Sequence, residues 1–173
     1  MRPPGCKNLI DALELSRRQT MGRMATGGFP PVEIKEERFP TAGLAQIGRY
    51  VAMLLQSRGE LFTLAITARE FEFPVTLYRC TSEQTVAIVL VSKDAHREQA
   101  IRCFFEQHAI ELLLDHAPSD LGAADAARGL VYPLAADTAR AITLTTELLR
   151  IVYGLSDEAG LDFRYYEMEP AAS

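Results

Sequence analysis

The stretch from residue 62 to residue 91 reads FTLAITAREFEFPVTLYRCTSEQTVAIVLV, and its patterning predicts the class of fold. Apolar residues alternate with small or polar ones in residues 62–67 and again in residues 71–78, which predicts two β-strands. Pro74 favours an edge position or a bulge for the second strand, because proline has no amide to donate to a neighbour. The unbroken apolar run Val86–Val91 predicts a third, central strand that is covered on both faces. Consecutive strands with short connections pair antiparallel, so we expect a meander.

Apolar residues recur at steps of three and four on both sides of this meander, which is the spacing of amphipathic helices. A first helix ends before Gly59. A second is capped by Ser92 or Asp94, and a third runs from its cap at Asp137 to Tyr153. Further strands are expected at Ile110–Leu114, Leu130–Leu134 and Leu161–Met168. The first of these could instead extend the second helix.

These elements predict an α+β fold for a single domain at residues 41–173. The sheet is mainly antiparallel with five to six strands, and three helices lie against one of its faces. The element order is α-β-β-β-α-β-β-α-β.

Residues 1–40 are interpreted as a flexible basic leader. Five of the nine prolines and the pair Gly27-Gly28 interrupt this part of the chain, so we expect no sustained packed element in it. Asn8–Gln19 has the pattern of a short basic helix, with an apolar side made of Leu9, Ile10 and Leu13. Residues 1–24 carry five basic and two acidic side chains. Alternative start methionines leave open whether residues 1–24 belong to the native protein.

Composition excludes several classes of protein. The 173 residues are 48% hydrophobic and 24% charged, which suits one packed core and excludes a disordered or fibrous chain. The formal net charge of −5 has the wrong sign for a nucleic-acid binder. No apolar stretch approaches the roughly 20 residues that cross a bilayer, so we expect no membrane partner. Three widely spaced cysteines suggest neither a disulfide framework nor a metal pair, which favours the cytoplasm.

Motifs for catalysis or for a bound cofactor do not occur in the sequence. Neither glycine pattern of phosphate-binding loops is present, and His96, His108 and His116 lack the spacing of metal ligands. We therefore assign no catalytic residue, no metal and no cofactor, and an enzyme is the less favoured interpretation. The alternative is a small enzyme or metabolite-binding domain that uses the loop Asp115–Asp120, where His116 lies between carboxylates. The same residue types also form ordinary solvated turns.

Aromatic residues on the predicted strands suggest a binding surface. The second strand and the last carry apolar residues on more than one face, and such residues on an edge strand need a cover. The candidate binding residues, expected to form exposed apolar surface, are Phe71, Phe73, Tyr78, Tyr165 and Tyr166. Packing inside the domain, a homodimer seam and a peptide groove are alternative explanations. We favour a non-enzymatic, homodimeric protein- or peptide-binding module that takes an extended segment of another chain on a sheet edge or in a hydrophobic groove.

The order helix, three strands, helix, two strands, helix over Thr41–Tyr153 resembles the type III secretion chaperones and their relatives. Element order carries the resemblance, together with the acidic character of a domain of this size, and no sequence motif contributes to it. The resemblance implies a homodimeric, peptide-binding, chaperone-like protein. The extra strand at Leu161–Met168 departs from the pattern, so no binding residues are carried over.

Overall fold

The computed structural model describes residues 34–57, 61–81, 85–116 and 127–168. Within these ranges the strands are β1 Ile34–Phe39, β2 Leu61–Thr67, β3 Val75–Cys80, β4 Thr85–Ser92, β5 Leu114–His116, β6 Arg128–Pro133 and β7 Leu161–Met168. The α-helices are α1 Ile47–Gln56, α2 Ala95–Gln107 and α3 Thr138–Ile151, and a 3-10 turn at Gly43–Gln46 precedes α1. None of these described helices combines the length and the apolar character needed to cross a membrane.

The described strands form one antiparallel sheet in the order β1-β7-β2-β3-β4-β6-β5. The α+β class and the meander β2-β3-β4 are therefore confirmed. The predicted strand number is corrected to seven, because Ile34–Phe39 add a strand before the first helix and pair with β7. The sequence interpretation had placed these six residues in the leader. The rest of the leader, residues 1–33, lies outside the described residues.

Two strands that were expected at an edge lie inside the sheet. β3 begins at Val75, directly after Pro74, and lies between β2 and β4. The proline therefore ends a bend at residues 71–74 and removes no hydrogen bond from the sheet. β7 lies between β1 and β2. The side chains of β3 and β7 are therefore flanked on both sides by those of neighbouring strands.

The strand predicted at Ile110–Leu114 is shorter and comes later in the chain. Ala109 has a left-handed backbone with φ of 54°, and the amide of Ile110 donates to the carbonyl of Phe105 at 2.9 Å. This turn ends α2. Pairing with β6 begins only at Leu114, so β5 consists of the three residues Leu114–His116.

All three described helices pack on one face of the sheet, and their buried side chains form one cluster with Leu64, Leu77 and Ile88 of the central strands. Stacked aromatic rings join two of the helices to the sheet. The ring of Tyr50 in α1 lies 4.3 Å from that of Phe163 in β7. The other pair is Phe105 in α2 and Tyr132 in β6, with ring centroids 3.8 Å apart.

Side-chain caps fix the ends of the helices. Asp137 accepts from the amide of Arg140 at 2.7 Å, which confirms this predicted N-cap. Of the two candidates for α2, Ser92 and Asp94, the cap is Asp94, which accepts from the amide of His96 at 2.9 Å. The end of α1 is held from the sheet, because Nη1 of Arg79 donates to the carbonyl of Leu54 at 3.2 Å.

Candidate functional site

The sheet has a second face, on the side away from the three described helices, which we call the helix-free face. Its centre is a hydrophobic cluster separate from the main core, made of Tyr78, Ala87, Val89 and Val131. Val91, Leu113 and Leu114 pack against this cluster. Among the described residues, all members of the cluster come from strands or from the residue before β5, and none from a helix.

The side chains of the helix-free face are shielded from solvent. Tyr78 is 3% exposed and Val89 8%, while Ala87 and Val131 are both 0% exposed. The strand register sets these residues side by side, since Tyr78 is opposite Ala87 and Val89 is opposite Val131. Side chains on a sheet stand roughly perpendicular to it, so an open face leaves a large ring such as Tyr78 in contact with water. The centre of the helix-free face is therefore apolar and covered, whereas its β1 and β7 side carries exposed charges such as Arg164.

The five predicted binding residues do not form one surface. Tyr78 and Tyr166 lie in the same cross-strand row, through Thr63 of β2, on the helix-free face. Phe71 contacts the ring of Tyr153 at 4.7 Å and packs against the main core. The others are Tyr165, which stacks on Phe62 of the main core, and Phe73, whose ring lies 5.6 Å from the ammonium of Lys93. The expectation that Tyr78 is exposed is wrong, because it is 3% exposed.

An ion-pair cluster holds β5 against β6 and α2. The carboxylate of Asp115 accepts from Nε and Nη2 of Arg128 at 2.7 and 2.8 Å, and from Nη2 of Arg102 at 2.8 Å. Nε of Arg102 also donates to Glu98 at 3.0 Å. The hydrogen bonds from Arg128 are the main reason that the pKa of Asp115 is held at about 2. Such a carboxylate stays ionised at neutral pH, which suits a structural anchor better than an acid or base.

His116, the centre of the alternative enzyme hypothesis, lies next to this anchor. It pairs with Gly129 of β6, where a Cβ atom would be 3.5 Å from the Cβ of His116. Residues 117–126, which include Ser119 and Asp120, lie outside the described residues, so the enzyme hypothesis stays a prediction. Within the part of the chain that the structure describes, no three His, Cys, Asp or Glu side chains group as a metal site.

A small cavity of about 180 Å³ opens between the bend at residues 71–74, the end of β4 and the start of α2. The guanidinium of Arg97 lies 4.8 Å from the ring of Tyr153 in its wall. Burial raises the pKa of Tyr153 to about 12, so its phenol stays neutral. Another wall residue, Glu72, contacts Lys93 at 3.7 Å. These contacts tie α2 to the bend and to α3, which gives the cavity wall a structural role.

The two edges of the sheet are poor sites for adding a strand. At one edge, four of the six residues of β1 are charged, Lys35 to Arg38. The hydroxyl of Tyr50 donates to Glu37, which is the main reason that the pKa of this carboxyl is lowered. At the other edge, β5 is only three residues long. Charged and short edge strands oppose pairing with another chain.

Sequence reasoning missed most of the helix-free cluster. The unbroken run Val86–Val91 was a signal for it, because the predicted cover on both faces placed Ala87 and Val89 under some layer. Val131 could be assigned to this cluster only from the pairing of β4 with β6, which sets it opposite Val89. The arginines that anchor Asp115 had no signal, since Arg102 and Arg128 are 13 residues away from it on either side.

Comparisons of this chain with models of protein families, with curated proteins and with solved structures give no match. Function is therefore argued from the geometry of the chain itself.

Proposed function

We propose that this protein is a non-enzymatic protein-binding module and that its binding surface is the helix-free face. The observation that carries the proposal is the apolar cluster of Tyr78, Ala87, Val89 and Val131 on the side of the sheet that no described helix covers. An antiparallel sheet with helices on one face commonly leaves its other face polar and solvated. An apolar second face is suited to a further layer of protein.

The structure favours docking across the face over strand addition at an edge. The charged strand β1 and the three-residue strand β5 protect the two edges. The face from β2 to β6 spans three steps between neighbouring strands, or about 14 Å. A helix of about ten residues covers this width at 1.5 Å per residue. The best fit is a short amphipathic helix laid with its apolar side on the face.

Charge narrows the chemistry of the partner. Residues 25–173 carry 13 basic and 21 acidic side chains, which favours a basic partner segment and disfavours a nucleic acid. Toward the β1 edge of the same face, the charges on β1 and β7 are paired with each other, as Arg38 with Asp162 at 2.9 Å and Arg164 with Glu36 at 3.2 Å. We therefore expect apolar contacts at the centre of the interface and long-range steering by the acidic domain.

A chaperone-like role, a homodimeric state and a cytoplasmic location belong to the same proposal. The resemblance to type III secretion chaperones remains a prediction from element order. It implies recognition of peptide segments, which agrees in kind with a docking face for an amphipathic helix. It is only an analogy for function, because one fold can serve many functions.

Selection from a displayed library of random peptides with the full chain as bait tests the proposal. We expect peptides with apolar residues at helical spacing, flanked by basic ones, with dissociation constants of about micromolar. Leu114→Glu places a charge beside the apolar cluster and should weaken their binding by at least about tenfold.

The matched control is Ile151→Glu, which makes the same type of change on α3, at a side chain that is 69% exposed on the other side of the sheet. Circular dichroism establishes that both variants fold. Peptides that bind both variants as tightly as the native chain, or a library that yields no binder, would contradict the proposal.

A further inference from the structure

We infer that the chain carries its own occupant for the helix-free face: residues 1–33 dock on this face and compete with the partner segment. The competition rests on the proposed function, whereas the docking can be tested without it. Tyr78, Ala87, Val89 and Val131 are between 0 and 8% exposed in a single chain, although the described helices lie on the opposite side of the sheet.

The described part of the chain begins at Ile34, at the edge of the helix-free face. Ile34 pairs with Tyr166, which is in register with Thr63, and the same row continues through Tyr78 to Ala87. The leader therefore joins the sheet at the row that contains the centre of the helix-free face. Three steps between neighbouring strands separate β1 from β3, which is about 14 Å. About five extended residues cover this distance, and 33 residues precede Ile34.

The sequence of the leader suits the helix-free face in pattern and in charge. The pattern at Asn8–Gln19 places Leu9, Ile10 and Leu13 on one side of a helix of 12 residues, about 18 Å long, which matches the width of the face. Residues 1–24 have five basic and two acidic side chains, and the rest of the chain is acidic, so the two attract each other. The leader and the expected partner segment thus share two properties, a net basic charge and apolar residues at helical spacing.

Residues 117–126 are a weaker candidate for the same place. They follow β5 at the edge of the sheet, but their sequence APSDLGAADA contains one large apolar side chain, Leu121, and two aspartates. Ten such residues offer little apolar area to cover a tyrosine and two valines. The leader is therefore the occupant that we propose.

Cysteine labelling in the full chain tests the docking. Val89→Cys reports on the helix-free face, and Ile88→Cys, its neighbour on β4, reports on the face under the helices. Each is combined with a leader variant in which Leu9, Ile10 and Leu13 are all replaced by Asp. Alkylation by iodoacetamide is followed by mass spectrometry of the peptide that contains the new cysteine, so the native cysteines remain.

We expect the leader variant to raise the alkylation rate of Val89→Cys by at least about tenfold and to leave that of Ile88→Cys within about twofold. The matched control places three aspartates at Asn8, Leu15 and Gln19, which the helical spacing puts on the other side from Leu9 and Leu13, and it should change neither rate. A synthetic peptide of residues 1–33 added to the leader variant should restore protection of Val89→Cys. A peptide that carries the three Asp substitutions should not.

Three results would overturn the inference. One is an unchanged rate at Val89→Cys in the leader variant. Another is an equal rise at both positions, which reports loss of the whole fold. The third is protection of Val89→Cys in the chain with the native leader that is lost on dilution, together with a fall in the measured molecular mass. A second copy of the chain is then the occupant of the helix-free face.

The peptides selected above separate this inference from the proposed function. If the leader blocks the face, the leader variant should bind them about tenfold more tightly than the native chain does. Faster alkylation of Val89→Cys without any peptide binding refutes the proposed function and leaves the docking in place. Unchanged alkylation with peptide binding that Leu114→Glu abolishes refutes the docking and leaves the proposed function in place.

Discussion

Replacing Asp115 by Asn should destabilise the protein at neutral pH and have progressively less effect in acid. The native carboxylate accepts three hydrogen bonds from Arg128 and Arg102, at 2.7 to 2.8 Å. Asparagine keeps the shape of the side chain but removes the charge, and its amide group presents donors to the two guanidinium groups. The anchor of β5 is thereby lost.

The magnitude follows from the pKa. Arg128 and Arg102 hold the pKa of Asp115 at about 2, against an ordinary value of 3.8. Because the folded pKa is the lower one, the stabilisation is complete above the unfolded pKa and is lost as the pH falls toward 2. The difference corresponds to about 2 kcal/mol in full, and solvent screening at this exposed position reduces it to about 1 kcal/mol. About half of that remains at pH 3 and little at pH 2.

Urea denaturation of the native chain and of Asp115→Asn at pH 7, 5 and 3 measures this difference. The control is Asp157→Asn, which removes one partner of Arg150 at a side chain that is 75% exposed, and it should cost less than about 0.5 kcal/mol. An effect of Asp115→Asn that is the same at pH 7 and pH 3, or no larger than that of the control, would refute the assignment of Asp115 as an ionised anchor.

Three further predictions concern the core, a backbone contact and assembly. Leu148→Ala and Phe104→Ala should each cost about 2 to 5 kcal/mol in urea denaturation, and less than about 0.5 kcal/mol would mean that the helix face is misassigned. Gly43→Ala should lower the free energy of unfolding by about 1 to 3 kcal/mol, because the added Cβ would lie 2.7 Å from the amide nitrogen of Leu161. In Gly48→Ala the added Cβ would lie 3.7 Å from the side chain of Ile142, so this change should be neutral or stabilising. The homodimer expected from the sequence is checked by light scattering, where a monomer mass at tens of micromolar would refute it.

The sequence by itself determined the elements whose signals are local. The N-cap at Asp137 could be predicted, and that of α2 narrowed to Ser92 or Asp94, because a capping side chain acts within three residues of its own position. The meander β2-β3-β4 was readable because alternation over 62–67 and the apolar run 86–91 reflect burial of each strand as a unit. These features depend on residues that are close together along the chain, so a single sequence is enough to predict them.

Only the tertiary structure decided the strand order, the extra strand β1 and the faces to which residues belong. The sequence placed Ile34–Phe39 in the leader, since prolines and a glycine pair interrupt residues 1–40, and the partner strand β7 lies far away along the chain. It favoured an edge or a bulge for the strand after Pro74, whereas β3 and β7 both lie inside the sheet, because edge and centre are properties of pairing between distant segments. The helix-free face has the same origin: Tyr78, Val89 and Val131 come from three strands and become one surface only when the register aligns them.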